Sequence, residues 1–259
     1  MGLVEGRNFT SEYRFADGHR EWLPELATDL VQRNVAIIVT SSMVEALAAR
    51  AATDSVPVVL SMNRPGGNLT GAVNLFSEMI PKRLEILHEL VPAAELIAFL
   101  VNQTNKVGAN SETEALQRAA RALDLRLSVL NANVPDEVAD AFAAMAGDRV
   151  GGLVVSADPS FLAQIDQFAS LATRYKIPTI YAYRQQAAAG GLLSYGINVL
   201  DSLRTVGIYV GRILRGERPA DLPVIQPTKF RLVINLKAAK HIGLEVPPAL
   251  LARADEVIE

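Results

Sequence analysis

Four positions in this chain place polar or aromatic side chains at the end of a short apolar run. Thr40, Ser41 and Ser42 follow Val35–Val39, and Asn102 follows Leu96–Val101. Asp158 follows Gly152–Ser156, and Tyr183 follows Thr179–Ala182. Hydroxyls beside the free amides of a helix start suit a carboxylate or another small anion. Helix capping alone would also explain Thr40–Ser42. Asp158 has the same two readings: a ligand contact at a strand's carboxyl end, or the cap of a helix starting near Ser160. The Asp158-Pro159 pair suits the cap. Together these residues can hydrogen-bond and stack, but they contain no base–nucleophile pair. They describe a place to hold a small molecule, and the chain is not expected to be an enzyme.

Other chemistries leave no trace. The sequence has neither GxxxxGK[ST] nor GxGxxG, and no GxSxG nucleophile elbow. Gly66-Gly67 and Gly151-Gly152 are lone pairs that read as turns. Cysteine is absent, which removes disulfides, thiolate metal sites and a cysteine nucleophile. The histidines His19, His88 and His241 lie far apart and read as surface residues, so no metal or other cofactor is expected.

The elements that must carry the four positions alternate along the chain. Val35–Val39, Val56–Leu60, Leu96–Val101, Leu125–Asn131, Gly152–Ser156, Thr179–Ala182 and Gly191–Tyr195 read as strands. Helical patterns cover Glu21–Arg33, Ser42–Thr53, Glu78–Leu90, Ser111–Leu123, Asp136–Met145, Phe161–Tyr175 and Leu200–Leu214. The tail adds a strand at Phe230–Asn235 and a helix near Lys237–Ile242. Near-continuous apolar strands separated by helices predict an α/β fold with parallel sheets covered on both faces. Arg64-Pro65-Gly66-Gly67-Asn68 is a dense turn, and the pattern restarts near residue 75, which predicts two lobes.

The 259 residues are 50% hydrophobic and 20% charged, enough apolar material for a large core. Apolar runs stay strand-sized, far short of the roughly 20 residues a membrane span needs. A net charge of −3 without a basic block argues against nucleic acid as a partner.

Several segments together resemble the substrate-binding proteins of bacterial ABC uptake systems, of the tryptophan/tyrosine type. They are Val4-Glu5-Gly6-Arg7-Asn8 with Glu12-Tyr13-Arg14, Asn63 to Gly71, and Gly190 to Gly196. Gln226 to Phe230, Val233-Ile234-Asn235-Leu236 and the ending Leu251 to Ile258 complete the set. The resemblance covers nearly the whole chain. It implies a type I periplasmic-binding-protein fold, with two Rossmann-like lobes closing on a small molecule such as an amino acid or related compound. It further implies ABC permease partners and a periplasmic or cell-surface location, although no signal peptide is visible. The crossings between lobes would fall near Asn74, Ile197 and Gln226. Lobe one is then expected over residues 1–74 and 197–226, and lobe two over 75–196 and 227–259. By the same resemblance Asn74, Ser194 and Tyr195 join the candidate ligand residues.

Two departures accompany the resemblance. Family members carry a leader, a first strand and a helix ahead of the Val4-Glu5-Gly6 segment, and a longer loop between the strand ending at Leu60 and Asn63. Lobe one is therefore expected to be incomplete, with the strands near Phe9–Arg14 and Ala36–Val39 missing a shared neighbour and open to another chain. A cytosolic ligand sensor, or a remnant without function, is the alternative reading.

Overall fold

The computed structural model describes residues 2–17, 19–60, 68–71, 76–223 and 229–259. Elements follow in chain order. The first half holds α1 (Leu23–Gln32), β1 (Ile38–Thr40), α2 (Met43–Ala52), β2 (Val58–Leu60), β3 (Leu69–Gly71) and α3 (Phe76–Leu90). Next come β4 (Leu96–Val101), α4 (Lys106–Ala122), β5 (Arg126–Asn131), α5 (Pro135–Gly147) and β6 (Gly152–Val155). The chain continues through α6 (Ile165–Tyr175), β7 (Thr179–Tyr181), α7 (Arg184–Ala188), β8 (Leu193–Ile197) and α8 (Val199–Ile213). It ends with β9 (Phe230–Asn235), α9 (Leu236–Ile242), α10 (Pro248–Leu251) and β10 (Glu256–Ile258). The fold is α/β. The chain divides into two compact units, one of residues 1–75 with 199–228 and the other of residues 76–198 with 229–259.

The larger unit is built on a seven-stranded sheet in the order β10-β9-β8-β7-β6-β4-β5. Strand alternation sorts its core into two layers. Ile97, Phe99 and Val101 of β4 join Leu84 and Leu87 of α3 and Leu116 of α4 on one face. Ala98 and Leu100 meet Phe142 of α5 and Phe168 of α6 on the other. Each large apolar side chain so buried stabilises the fold by roughly 1.5–3 kcal/mol. The helices stop where the chain adopts left-handed backbone: Lys176 ends α6 at φ 53°, and Gly243 ends α9 at φ 74°.

Not every strand is parallel, as had been expected. β9 pairs antiparallel with β8, placing Ser194 opposite Val233 and Ile197 opposite Phe230. β10, which the sequence reading missed, then runs parallel beside β9. Gly151 and Gly152 are not a turn device but a close-packing one. A Cβ on Gly151 would sit 2.4 Å from Ala94 Cβ, and one on Gly152 would be 3.0 Å from the Leu87 side chain.

Among the described residues, the smaller unit has three parallel strands in the order β1-β2-β3. Val58 and Leu60 face α1 and α2 through Ala27, Ala46 and Ala49, while Val59 faces Val206, Tyr209 and Ile213 of α8. Among the described residues β1 is an edge, and Val39 on it is 53% exposed. The strand expected near Phe9–Arg14 is not formed. Arg14 instead donates to Asp29 at 2.6 Å, tying that segment to α1, while Tyr13 and Phe15 are exposed. The Arg14 guanidinium holds the Asp29 carboxyl below the usual carboxylate range.

Candidate functional site

In a parallel sheet, neighbouring strands end on the same side, so adjacent ends bring distant residues together. β4, β6, β7 and β8 are consecutive neighbours. Asn102, Asp158 and Tyr183, expected as ligand residues, consequently stand in a row at the carboxyl ends of the first three. All three are buried.

Asp158 is engaged on both oxygens. Its Oδ1 accepts from the Ser160 amide at 3.0 Å, the Ser160 hydroxyl at 2.5 Å and Asn102 Nδ2 at 3.1 Å. Its Oδ2 accepts from Asn105 Nδ2 at 3.0 Å. The capping reading is therefore realised, on a short 3-10 turn at Pro159–Leu162. Asn102 is fixed as firmly, its Oδ1 taking the Thr104 amide and hydroxyl at 3.0 and 2.7 Å. The Tyr183 hydroxyl donates to the Ala157 carbonyl at 2.8 Å, and burial pushes this phenol upward. These bonds hold Asn102, Asp158 and the Tyr183 hydroxyl in fixed positions beside one another.

Ser194 is buried within β8, whereas Tyr195 is half-buried and lies 6.2 Å from Phe230, ring to ring. The next residue must be glycine. A Cβ on Gly196 would come within 2.1 Å of the Ala182 carbonyl oxygen, because β8 presses against the end of β7 there.

Thr40, Ser41 and Ser42 end β1 in the smaller unit. Ser42 caps α2 in a capping box, its hydroxyl accepting from the Glu45 amide at 3.4 Å. The Glu45 carboxylate returns to the Ser41 amide at 2.7 Å and to the Ser41 hydroxyl at 2.9 Å. The anion that these amides attract is thus already present, in the chain's own side chain. Thr40 Oγ1 is buried without a partner among the described residues. Asn74, like the crossing at Gln226 and the turn at 64–67, lies outside the described residues.

Sequence reasoning passed over the charges beneath this row. Arg83 of α3 and Glu112 of α4 are both buried, and Arg83 Nε donates to the Tyr195 carbonyl at 2.8 Å. Glu112 accepts the Ala157 amide at 3.1 Å, and burial pushes its carboxyl up to about 7 despite the pull of Arg83. The signal was available, since Ile80, Arg83, Leu84 and Leu87 form an apolar stripe at helical spacing with one charge in it. His88 also departs from a surface role, being half-buried with a sheltered Nδ1. Among the described residues no group of three His, Asp or Glu is placed to hold a metal. Nor is any helix there long and apolar enough to cross a membrane.

A sequence model of the ABC transporter substrate binding protein family matches residues 1–258. The chain belongs to this family. A curated relative is the tyrosine-binding protein of Clostridioides difficile, 23% identical over 94% of this chain and 73% of its own length. Among solved structures, a conserved domain protein from Vibrio cholerae is 26% identical with a TM-score of 0.88, over 99% of this chain and 90% of that one. An ABC domain from Streptococcus pneumonia, solved in complex with L-Trp, is 21% identical with a TM-score of 0.87 over 98% and 89%. These neighbours share the type I periplasmic-binding-protein fold, in keeping with the family expectation.

Proposed function

We propose that this chain is the solute-binding component of a bacterial ABC uptake transporter, and that its solute is an amino acid with an aromatic side chain. The family match over residues 1–258 carries this reading. Relatives described as tyrosine-binding and as complexed with L-Trp support the solute class. The mechanism is closure of two lobes on the solute, with delivery to a membrane permease and no bond made or broken. Such a protein works outside the cytoplasmic membrane. The residues proposed to meet the solute are Thr40, Ser41, Ser42 and Asn74 from one lobe, with Asn102, Asp158, Tyr183, Ser194 and Tyr195 from the other. Half-exposed Tyr195 offers a ring for stacking, and polar groups at the strand ends fix orientation.

Thermal unfolding against tryptophan, tyrosine and phenylalanine tests the reading. A ligand at 100 times its dissociation constant adds about 2.7 kcal/mol, which raises the melting temperature by several degrees. One of the three is expected to do so. A cooperative transition that none of them moves would overturn the proposed solute class.

A further inference from the structure

A charge in an apolar stripe normally lowers stability, because burying it unpaired costs far more than burying a hydrocarbon. This unit contains two such charges. Arg83 sits among Ile80, Leu84 and Leu87 on α3, and Glu112 between Ala109 and Leu116 on α4. Both point at the same layer, between these helices and the sheet.

What they hold offsets that cost. Arg83 Nε takes the Tyr195 carbonyl of β8. Glu112 takes the Ala157 amide, two residues beyond the end of β6, and the Tyr183 hydroxyl donates to the carbonyl of the same Ala157. The Arg83 and Glu112 charges attract one another across the gap between their helices. Arg83 thus holds the middle of β8 and Glu112 the segment just after β6, to which the Tyr183 hydroxyl beyond β7 is bonded in turn. Neither Arg83 nor Glu112 belongs to the row of candidate ligand residues.

The arrangement also has spare polar capacity. Arg83 Nη1 and Nη2 lack acceptors among the described residues, and so does the buried Ser156 hydroxyl. Strand alternation turns Ser156 to the same side as Val154, which faces the α3 and α4 layer.

We propose that Arg83 and Glu112 are positioning residues of the ligand site: they fix the Ala157 peptide and the Tyr195 carbonyl, and through them Asp158, Tyr183 and Tyr195, without touching the ligand. The proposal rests on the functional reading above. It predicts that losing either charge alters the strand ends while the rest of the unit keeps its fold.

The experiment uses the full chain with Glu112→Gln, Arg83→Lys and Arg83→Met. Lysine keeps the charge but loses the planar fork that reaches the carbonyl. Circular dichroism reports folding, and amide NMR reports residues 157, 158, 183 and 195 in the absence of ligand. Calorimetry with tryptophan and tyrosine gives the dissociation constant. In Glu112→Gln and Arg83→Lys the four amides are expected to shift with the fold intact, and the dissociation constant to rise about 10-fold. Should Arg83→Met fail to fold, the near-isosteric Glu112→Gln carries the test. Unmoved amides overturn the proposal, as do shifted amides with unchanged affinity. If the parent chain binds neither amino acid, the functional reading fails separately. The ligand-free amide shifts then support or overturn the role of the two charges by themselves.

Discussion

The two units solve the same packing problem with unequal means. In the larger one, four adjacent strands have apolar cores on both faces, and Phe99, Phe142, Phe161 and Phe168 are sealed from solvent. In the smaller one, the three short strands among the described residues meet α1 and α2 through the small side chains of Ala27, Ala46 and Ala49, and the edge strand β1 keeps Val39 half in water. Stability scales with buried apolar surface, so the larger unit should be the firmer of the two. A binding protein gains from this inequality if its firm part carries the proposed ligand residues.

Phe142→Ala should produce the largest effect. Its ring packs edge-on to Phe168 at 6.0 Å and stacks near Tyr175 at 6.4 Å. Removing it should lower the larger unit's stability by about 3–5 kcal/mol, measured by scanning calorimetry. Val39→Ala on the exposed edge should stay within about 0.5 kcal/mol. Similar losses at both positions would break the comparison.

Next in size is the pH dependence conferred by Glu112. Burial raises its folded carboxyl to about 7, above the ordinary 4.5. Between those values the folded state holds more protons than the unfolded chain, so stability falls as pH rises through that window. The groups acting on Glu112 are Arg83, which lowers its value, the Ala157 amide, which also lowers it, and Asp158, which raises it. Glu112 in turn raises Tyr183. Chemical denaturation from pH 4.5 to 7 should show a decline of up to a few kcal/mol in the parent that Glu112→Gln flattens. Parallel profiles for the two proteins would mean that Glu112 is not the titrating group.

A smaller difference should appear in hydrogen exchange. Amides of β4 and β6 are expected to exchange at least about tenfold more slowly than those of β1, because local opening follows contact and burial. Equal protection would mean that three strands and α8 suffice to make the smaller unit as firm.

Much of this inequality could be read from residue order alone. Leu96–Val101 and Phe230–Asn235 emerged with the same bounds in sequence and structure, the first as an apolar run buried along nearly its whole length, the second through its buried Leu232–Asn235 half. Short elements defined by distant partners did not. β10 exists through its pairing with β9, and the run at Gly191–Tyr195 slid to Leu193–Ile197 because Gly191 backs onto the Tyr181 ring. Hydrophobic pattern carries no strand direction, so antiparallel β9 was illegible. The strand that the resemblance implied near Phe9–Arg14 is replaced by a segment drawn to α1 through Arg14, an ion pair that hydrophobic pattern does not encode. Among the candidate site residues, strand ends located Asn102, Asp158 and Tyr183, since a parallel sheet aligns such positions. Arg83 and Glu112 were overlooked because they lie one layer below, within stripes that read as core.

The smallest predicted effect separates the two readings of Thr40–Ser42. Ser42→Ala removes the cap of α2 and should cost about 1 kcal/mol, seen as a modest drop in the smaller unit's melting temperature. Aspartate is an equally good cap, so Ser42→Asp should restore that stability. It also places a second carboxylate beside Glu45, where the Ser41 and Ser42 amides are already occupied at 2.7 and 3.1 Å. If an amino acid's carboxylate displaces Glu45 from these amides, Ser42→Asp will weaken binding in calorimetry while stability recovers, because two like charges cannot share one helix start. If affinity recovers along with stability, the hydroxyls serve the helix alone, and the solute's carboxylate is held elsewhere.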